Sequence, residues 1–273
     1  MRTFVFDQVI TKREAIFSPF AATDVFTELV GEEVPLVLHF WQLEATLILG
    51  MKDTRVTHLL PALERVKQLN YYPIVRNAGG LGVISDKGVL NISLIFKKTA
   101  QLSSTDEAYK KMYHLTQQAF PELAIDALEI TDSYCPGTFD LSVAGRKIAG
   151  IAQRRVKDGI AVMMYLSVNG DQTKRGELVK QFYQTGLEEN FGTDGYPAVN
   201  PESMVTLSEL LGYTLSMDDV KKRFLTLLTP NEPILDLTQW LTTQKQLELY
   251  QKKEQNMIER NQRIKELLYV NSL

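Results

Sequence analysis

Apolar residues recur along this chain in two rhythms, every second position and every third or fourth, and the changes between them mark out its elements. Thr23 to Val30 keeps the helical rhythm. Pro35 to Trp41 and Ala45 to Gly50 are apolar runs of strand length separated by Gln42, Leu43 and Glu44. Pro61 suits the first turn of a helix, where its missing N–H costs little, so Pro61 to Asn70 is predicted helical. Tyr72 to Arg76 reads as a strand and Asn77-Ala78-Gly79-Gly80 as a turn. Leu81 to Ser85 and Val89 to Lys97 read as strands closing a hairpin around Asp86-Lys87-Gly88.

Ser104 with Glu107 three residues on has the form of a helix start, and the helix is expected to run to about Phe120. Thr138 to Val143, Lys147 to Val156 and Ile160 to Asn169 read as three strands, punctuated by Ala144-Gly145-Arg146 and Lys157-Asp158-Gly159. Connections this short imply antiparallel neighbours, so the fold class is α+β, with mixed but mostly antiparallel sheets, and not a wound parallel sheet. Helices follow at Lys174 to Asn190, Thr206 to Leu211 and Met217 to Leu228, the last two split by Gly212. Pro230 to Asp236 is the expected boundary between a main domain, residues 1–229, and a C-terminal helical extension, residues 237–273. Trp240, Leu247, Tyr250, Met257, Ile264 and Leu268 give that extension a narrow apolar stripe, as expected of a long helix laid against the body or a neighbouring chain.

Composition narrows the function. With 44% hydrophobic and 23% charged residues in 273 positions, the chain has an ordinary globular make-up and length enough for a sizeable core. A net charge of -3 lacks the basic footprint of phosphate binding, so nucleic acid is not expected as a partner. No run of about 18 apolar residues is present, and Asp7, Lys12, Arg13 and Glu14 interrupt the start; neither a membrane span nor a secretory leader is expected, and the protein is read as cytoplasmic. One cysteine cannot close an internal disulfide, and three scattered histidines, His39, His58 and His114, give no metal-ligand spacing, so no metal is expected.

Two segments could carry chemistry. The first runs Arg76-Asn-Ala-Gly79-Gly80-Leu-Gly82-Val83-Ile-Ser-Asp86-Lys-Gly88-Val-Leu-Asn91. Glycines between strands allow a ligand close to the backbone, although glycine pairs there are mostly plain turns. The second runs Ser133-Tyr-Cys135-Pro-Gly-Thr-Phe-Asp140-Leu-Ser-Val-Ala-Gly145-Arg-Lys147-Ile-Ala-Gly150-Ile-Ala-Gln-Arg154-Arg155. A cysteine flanked by Tyr, Pro and Gly ahead of a strand is poorly placed as core filler and well placed for a reactive loop. A lysine after a turn is usually a solvated charge, and a functional reading needs a carbonyl or the cysteine beside it.

In this order and spacing the two segments resemble the biotin and lipoate protein ligase superfamily, over Trp41-Gln42 and Leu47 to Gly50 through about Asn169. Arg76, Gly79, Gly80, Val83, Asp86, Gly88, Leu90, Asn91 and Lys147 match that pattern. Asn77, Leu81 and Ser85 stand where it has a second Arg, a third Gly and a His. With Cys-Pro-Gly and Gln153-Arg154-Arg155, these departures are similar to the octanoyltransferase branch called LipL, whose members are octanoyl-[glycine cleavage H protein]:protein N-octanoyltransferases. The resemblance implies the biotinyl/lipoyl protein ligase catalytic-domain fold. It also implies Cys135 as an acyl-accepting nucleophile and Lys147 as the residue that favours its thiolate, polarises the acyl carbonyl or moves a proton. Arg76, Gly79, Gly80, Val83, Asp86, Asn91 and Gly150 would bind substrate, with Leu81 and Ile151 as further liners of an acyl slot.

The implied reaction moves an octanoyl or lipoyl group, by way of a Cys135 thioester, from the glycine cleavage H protein to lysines of lipoyl domains in 2-oxoacid dehydrogenase acyltransferase subunits. No cofactor is needed, because one amide replaces another. Two rivals remain open from sequence: an ATP-dependent lipoate–protein ligase with Cys135 incidental, and a non-catalytic binder of acylated carrier domains. Arg154 and Arg155 are candidates for a partner surface, of which alternation lets only one face any given partner.

Overall fold

The large sheet of the protein contains a strand with no exposed face. The computed structural model describes residues 3–31, 33–100, 104–228 and 233–269. Among them, β1 (Thr3–Ile10) leads into α1 (Ser18–Leu29), and β2 (Leu36–Leu43) follows, buried along its whole length. Next come β3 (Thr46–Leu49), α2 (Leu59–Gln68), β4 (Tyr72–Val75), β5 (Val83–Ser85), β6 (Val89–Lys97) and α3 (Thr105–Ala119). A three-residue β7 (Ile125–Ala127) precedes β8 (Leu141–Val143), β9 (Arg146–Val156) and β10 (Gly159–Ser167). The chain continues through α4 (Gln172–Leu187), α5 (Leu207–Leu211), α6 (Met217–Leu228), β11 (Ile234–Leu235), α7 (Leu237–Trp240) and α8 (Gln244–Tyr269).

Eight strands form one sheet in the order β11-β1-β2-β6-β10-β9-β8-β7, parallel only at β11-β1-β2, and three form another, β4-β3-β5. The expected α+β class, its mostly antiparallel pairing and its long C-terminal helix are borne out. Strand alternation gives the large sheet two unlike faces. Leu38, Leu94 and Val162 point to the side packed by α3 and α6, whereas Val37, Ile95 and Ala161 point to α1. On the α1 side the register places Asn91, Tyr165 and Gly150 in one row across β6, β10 and β9. From the small sheet, Ile48 and Val83, paired across β3 and β5, face that row over a cavity.

The expected hairpin at Asp86 does not form. β5 pairs with β3 in the small sheet, and β6 pairs with β2 and β10 in the large one, so the chain changes sheets at this turn. Asp86 itself holds the junction: Arg175 of α4 grips both carboxylate oxygens at 2.7 and 2.8 Å, and the Tyr71 hydroxyl and Gly88 N–H donate to them at 3.0 and 2.8 Å.

Other elements fall close to expectation. Ser104 caps α3 by accepting from the Glu107 N–H. α1 begins five residues before Thr23, with Pro19 in its first turn, the placement that also favours Pro61 in α2. β1, β7 and β11 have no counterpart among the predicted strands, because β7 and β11 are three and two residues long and β1 mixes Asp7 and Gln8 into its alternation. Of the expected boundary, residues 230–232 lie outside the described residues, as does residue 270 of the expected final helix. That stretch is broken between Trp240 and Gln244 into α7 and α8. Met257, Ile264 and Leu268 of α8 are buried in the core that α2 and β3 share, and Trp240 packs edge-on against Phe6 and Phe26. Among the described residues no helix is long and apolar enough to cross a membrane.

Candidate functional site

Cys135 lines the cavity, half-buried, in a backbone conformation that residues other than glycine rarely adopt. Its φ is +51°, in the left-handed region, which costs an L-residue roughly 1–2 kcal/mol and persists only where its surroundings impose it. The imposing group is Lys147. From β9 its side chain runs fully buried beneath the cysteine loop, and Nζ donates to the carbonyls of Cys135 at 2.8 Å and Tyr134 at 3.0 Å. The same nitrogen reaches Ser133 Oγ at 3.1 Å and Asp140 Oδ1 at 3.0 Å. Asp140 then accepts from the N–H groups of Gly137 and Ile130 at 3.1 and 3.3 Å, closing both ends of the loop. Burial pushes the Asp140 carboxyl up, against the pull of Lys147 and these hydrogen bonds.

The expectation that Lys147 faces the sulfur is therefore revised. Its three protons are met by four oxygens, it does not line the cavity, and among the described residues no hydrogen bond joins it to Sγ. The donors at the sulfur come from the glycine loop: the Leu81 N–H at 3.2 Å and Arg76 Nη2 at 3.5 Å. Arg76 Nη2 also donates to the Leu81 carbonyl at 3.0 Å, while its Nε is buried without an acceptor. Gly80 makes this approach possible. Its φ of +93° is unsuited to other residues, and a Cβ there would stand 2.4 Å from Arg76 Nη2 and 3.1 Å from Sγ.

Behind the sulfur lies a cavity of about 300 Å³, at the lower end for small-molecule sites and mostly apolar in its walls. Of the residues expected to bind substrate, Arg76, Gly79, Gly80, Val83, Asn91 and Gly150 line it, as does Ile151. Asp86 and Leu81 do not: the first is the sheet junction, and the second points its N–H at the sulfur and buries its side chain. Asn91 donates to the buried Ser85 hydroxyl at 2.9 Å. Gly150 lets the ring of Tyr165 lie across β9, since a Cβ there would come within 2.5 Å of the ring. Phe20 and Thr23 of α1, Trp41 of β2 and Met164 of β10 complete much of the wall. Sequence reading missed them because they look like ordinary core positions; the row opposite Asn91 would have pointed to Tyr165 had the strand register been known.

The floor of the glycine loop is Asp53, which follows β3 in a short helical turn. It accepts from the Gly50 N–H at 2.7 Å and the Tyr183 hydroxyl at 2.8 Å, and that hydroxyl in turn accepts from the Gly82 N–H at 3.3 Å. Desolvation raises its pKa to about 6. Burial keeps His39 neutral, with its pKa lowered to about 3, and its two nitrogens are matched to Thr23 Oγ1 and Gln8 Oε1 at 3.1 and 2.9 Å, which agrees with a purely structural role. Arg154 is turned inward, gripping Asp24 with two nitrogens and donating to the Asn77 carbonyl at 2.8 Å; only Arg155 stays exposed. Among the described residues no group of three or more His, Cys, Asp and Glu side chains could hold a metal ion.

Residues 15–229 match the lipoyl protein ligase A/B catalytic domain. The chain belongs to that family. The "Octanoyl-[GcvH]:protein N-octanoyltransferase" of Oceanobacillus iheyensis is 40% identical over 255 residues, covering 92% of this chain and 90% of that protein. A relative of the same name from Staphylococcus aureus is 39% identical over 249 residues, covering 90% and 88%. The fold matches a bi-partite lipoate protein ligase from Thermoplasma acidophilum with a TM-score of 0.64 at 15% identity, over 93% of each chain. The family and the octanoyltransferase branch expected from Arg76 to Asn91 and Cys135 to Arg155 are thus borne out.

Proposed function

We propose that this lipoyl-ligase-family protein moves an octanoyl or lipoyl group from the glycine cleavage H protein to lysines of the lipoyl domains of 2-oxoacid dehydrogenase acyltransferase subunits, holding it as a thioester on Cys135. The observation that carries the proposal is the position of Cys135, which lines an apolar cavity and holds its Sγ within hydrogen-bonding reach of the Leu81 N–H and Arg76. The names of relatives at about 40% identity supply the donor class.

In the first half-reaction sulfur attacks the carbonyl carbon of the carrier's acyl-lysine amide. The C–S bond forms, the C–N bond breaks, and the lysine leaves as an amine that takes up the proton given by the thiol. In the second, a neutral lysine of the acceptor attacks the thioester; C–N forms, C–S breaks, and the amine's surplus proton returns to sulfur. Splitting the exchange in this way divides one hard step into two. Leu81 N–H and Arg76 hold the thiolate before attack. Once sulfur is acylated it is a poorer acceptor, and both donors are then beside the carbonyl oxygen where negative charge develops. Lys147 acts by fixing the cysteine backbone. Each methylene of the chain buried in the cavity contributes about 0.8 kcal/mol to holding the cargo.

The test is intact-mass analysis after incubation with octanoylated H protein and no nucleotide. The expected result is a gain of one octanoyl group, removed by hydroxylamine and absent in Cys135→Ala. Acylation that requires ATP and free octanoate, and survives that substitution, would overturn the proposal in favour of a ligase.

A further inference from the structure

α8 is tied to the site through its side chains. β4 is an edge of the small sheet, so its outer N–H and C=O groups have no strand to meet. Asn261 of α8 takes that place. Its Oδ1 accepts from the Val75 N–H at 2.6 Å, and its Nδ2 donates to the Val75 carbonyl at 3.0 Å and to the Met257 carbonyl of its own helix at 2.9 Å. The carboxamide is buried, and both faces of the amide are used as a neighbouring strand would use them. Val75 is the last residue of β4, and Arg76, whose guanidinium reaches the sulfur, comes next. The Arg76 N–H bonds the Leu49 carbonyl at 2.9 Å, so the strand end is pinned from β3 on one side and from α8 on the other.

A second tie runs from the same helix to the cavity wall. Tyr250 donates to Ser18 Oγ at 2.9 Å, Gln8 Nε2 donates to the same oxygen at 2.9 Å, and Gln8 Oε1 meets His39, whose other nitrogen meets Thr23. Thr23 lines the cavity. α8 therefore touches both the strand that launches the glycine loop and the helix that walls the slot.

We infer that Asn261 is a positioning residue for acyl transfer: by pairing with Val75 it fixes the end of β4 so that Arg76 presents its guanidinium to Cys135. The inference rests on the thioester reading for its meaning, but its test does not need an acyl substrate. Because Cys135 is the only cysteine, iodoacetamide alkylation followed by mass reports the sulfur alone. Asn261→Leu removes both bonds to Val75 and puts an apolar side chain of similar size in their place. Ile264→Ala, on the buried stripe of the same helix, loosens packing without touching the tie.

Alkylation of Asn261→Leu at neutral pH is expected to slow about fivefold, the scale of one hydrogen bond, with the rising limb of its pH profile moved to higher pH. Ile264→Ala should lower the urea midpoint and leave the profile in place. In octanoyl transfer, Asn261→Leu should lower kcat and leave KM for the acylated carrier unchanged. The inference is overturned if the Asn261→Leu profile coincides with wild type among folded molecules, or if both variants move it equally. Normal alkylation shifts with no transfer in wild type would instead sink the transferase reading and leave the positioning intact.

Discussion

The two loops that meet at the sulfur each rest on a buried carboxyl, and they are held in different ways. Beneath the cysteine loop, Asp140 has its own lysine, and Lys147 in turn is saturated by backbone and hydroxyl oxygens. Beneath the glycine loop, Asp53 has no salt-bridge partner among the described residues and is held by hydrogen bonds from Gly50 and Tyr183, and Arg76 above it retains a donor without an acceptor. A closed, charge-balanced scaffold suits the loop that must keep a nucleophile in a strained conformation. A sparsely bonded one suits donors that have to serve a thiolate first and a carbonyl oxygen afterwards.

The largest difference should appear when the closed scaffold is opened. Lys147→Met leaves Asp140 buried with no cation, and breaking one side of such a pair costs about 3–5 kcal/mol. Urea unfolding should report a loss of that size, together with loss of Cys135 acylation. A fully stable Lys147→Met protein that has merely lost activity would show instead that the lysine acts on the reacting groups and not on the loop.

The floor of the glycine loop should also respond to pH. The Asp53 carboxyl has a pKa of about 6 in the folded protein against an ordinary 3.8. Between those values the native state keeps a proton that the unfolded chain has released, so this group's contribution falls as pH rises from about 4 to about 6 and stays low above. The full swing is about 3 kcal/mol. Other carboxylates titrate over the same range, so the measurement is the difference between wild type and Asp53→Asn. Relative to the variant, wild type should lose stability from about pH 4 to about pH 6. A constant difference would mean that Asp53 is ionised and satisfied as it stands.

How much of this was legible before the structure depends on whether a residue's role is local. Ser104 as a cap, the β8-β9-β10 meander and the loop placement of Cys135 outside the core lie within a few residues of their causes, and all are found where the pattern puts them. Asp86 and Lys147 were misplaced for the opposite reason. Asp86 sits in a turn that looks like a hairpin, and only Arg175, 89 positions away, makes it a junction between sheets. Lys147 follows a turn as surface lysines do, and its burial is decided by a loop that folds over it. Asn261 was invisible on its helix because nothing in the sequence says that β4 is an edge strand.

A smaller effect, on activity more than on stability, should come from Gly80. An alanine Cβ would enter the space of Arg76 Nη2 and would need a φ that alanine avoids. Displacing the guanidinium by about an ångström is expected to slow acyl-enzyme formation about a hundredfold. Gly79, with nothing within 4 Å of its own added Cβ, is the control, and Gly79→Ala should be tolerated. Equal losses at both positions would argue for a general need for loop flexibility over a specific need for space beside Arg76.

The mildest change, and the one that discriminates best between the two loops, is Arg76→Lys. Charge is retained, but a lysine offers a single point donor on a different stem and cannot reach the Leu81 carbonyl and the sulfur with the planar geometry that Nη2 now uses. If Arg76 is the cation that serves the sulfur, acyl-enzyme formation should slow about tenfold, one hydrogen bond to a charged group, with the folding free energy near wild type. Lys147→Arg, in contrast, forces a larger cation into a closed pocket whose oxygens are already matched to an ammonium, so its first effect should be on stability. The two conservative exchanges thus predict opposite signatures, kinetic for Arg76 and thermodynamic for Lys147. Should the signatures be reversed, with Arg76→Lys silent and Lys147→Arg stable but inactive, the sulfur would have to be served from β9, and the loop contacts of Lys147 would describe a resting arrangement that substrate displaces.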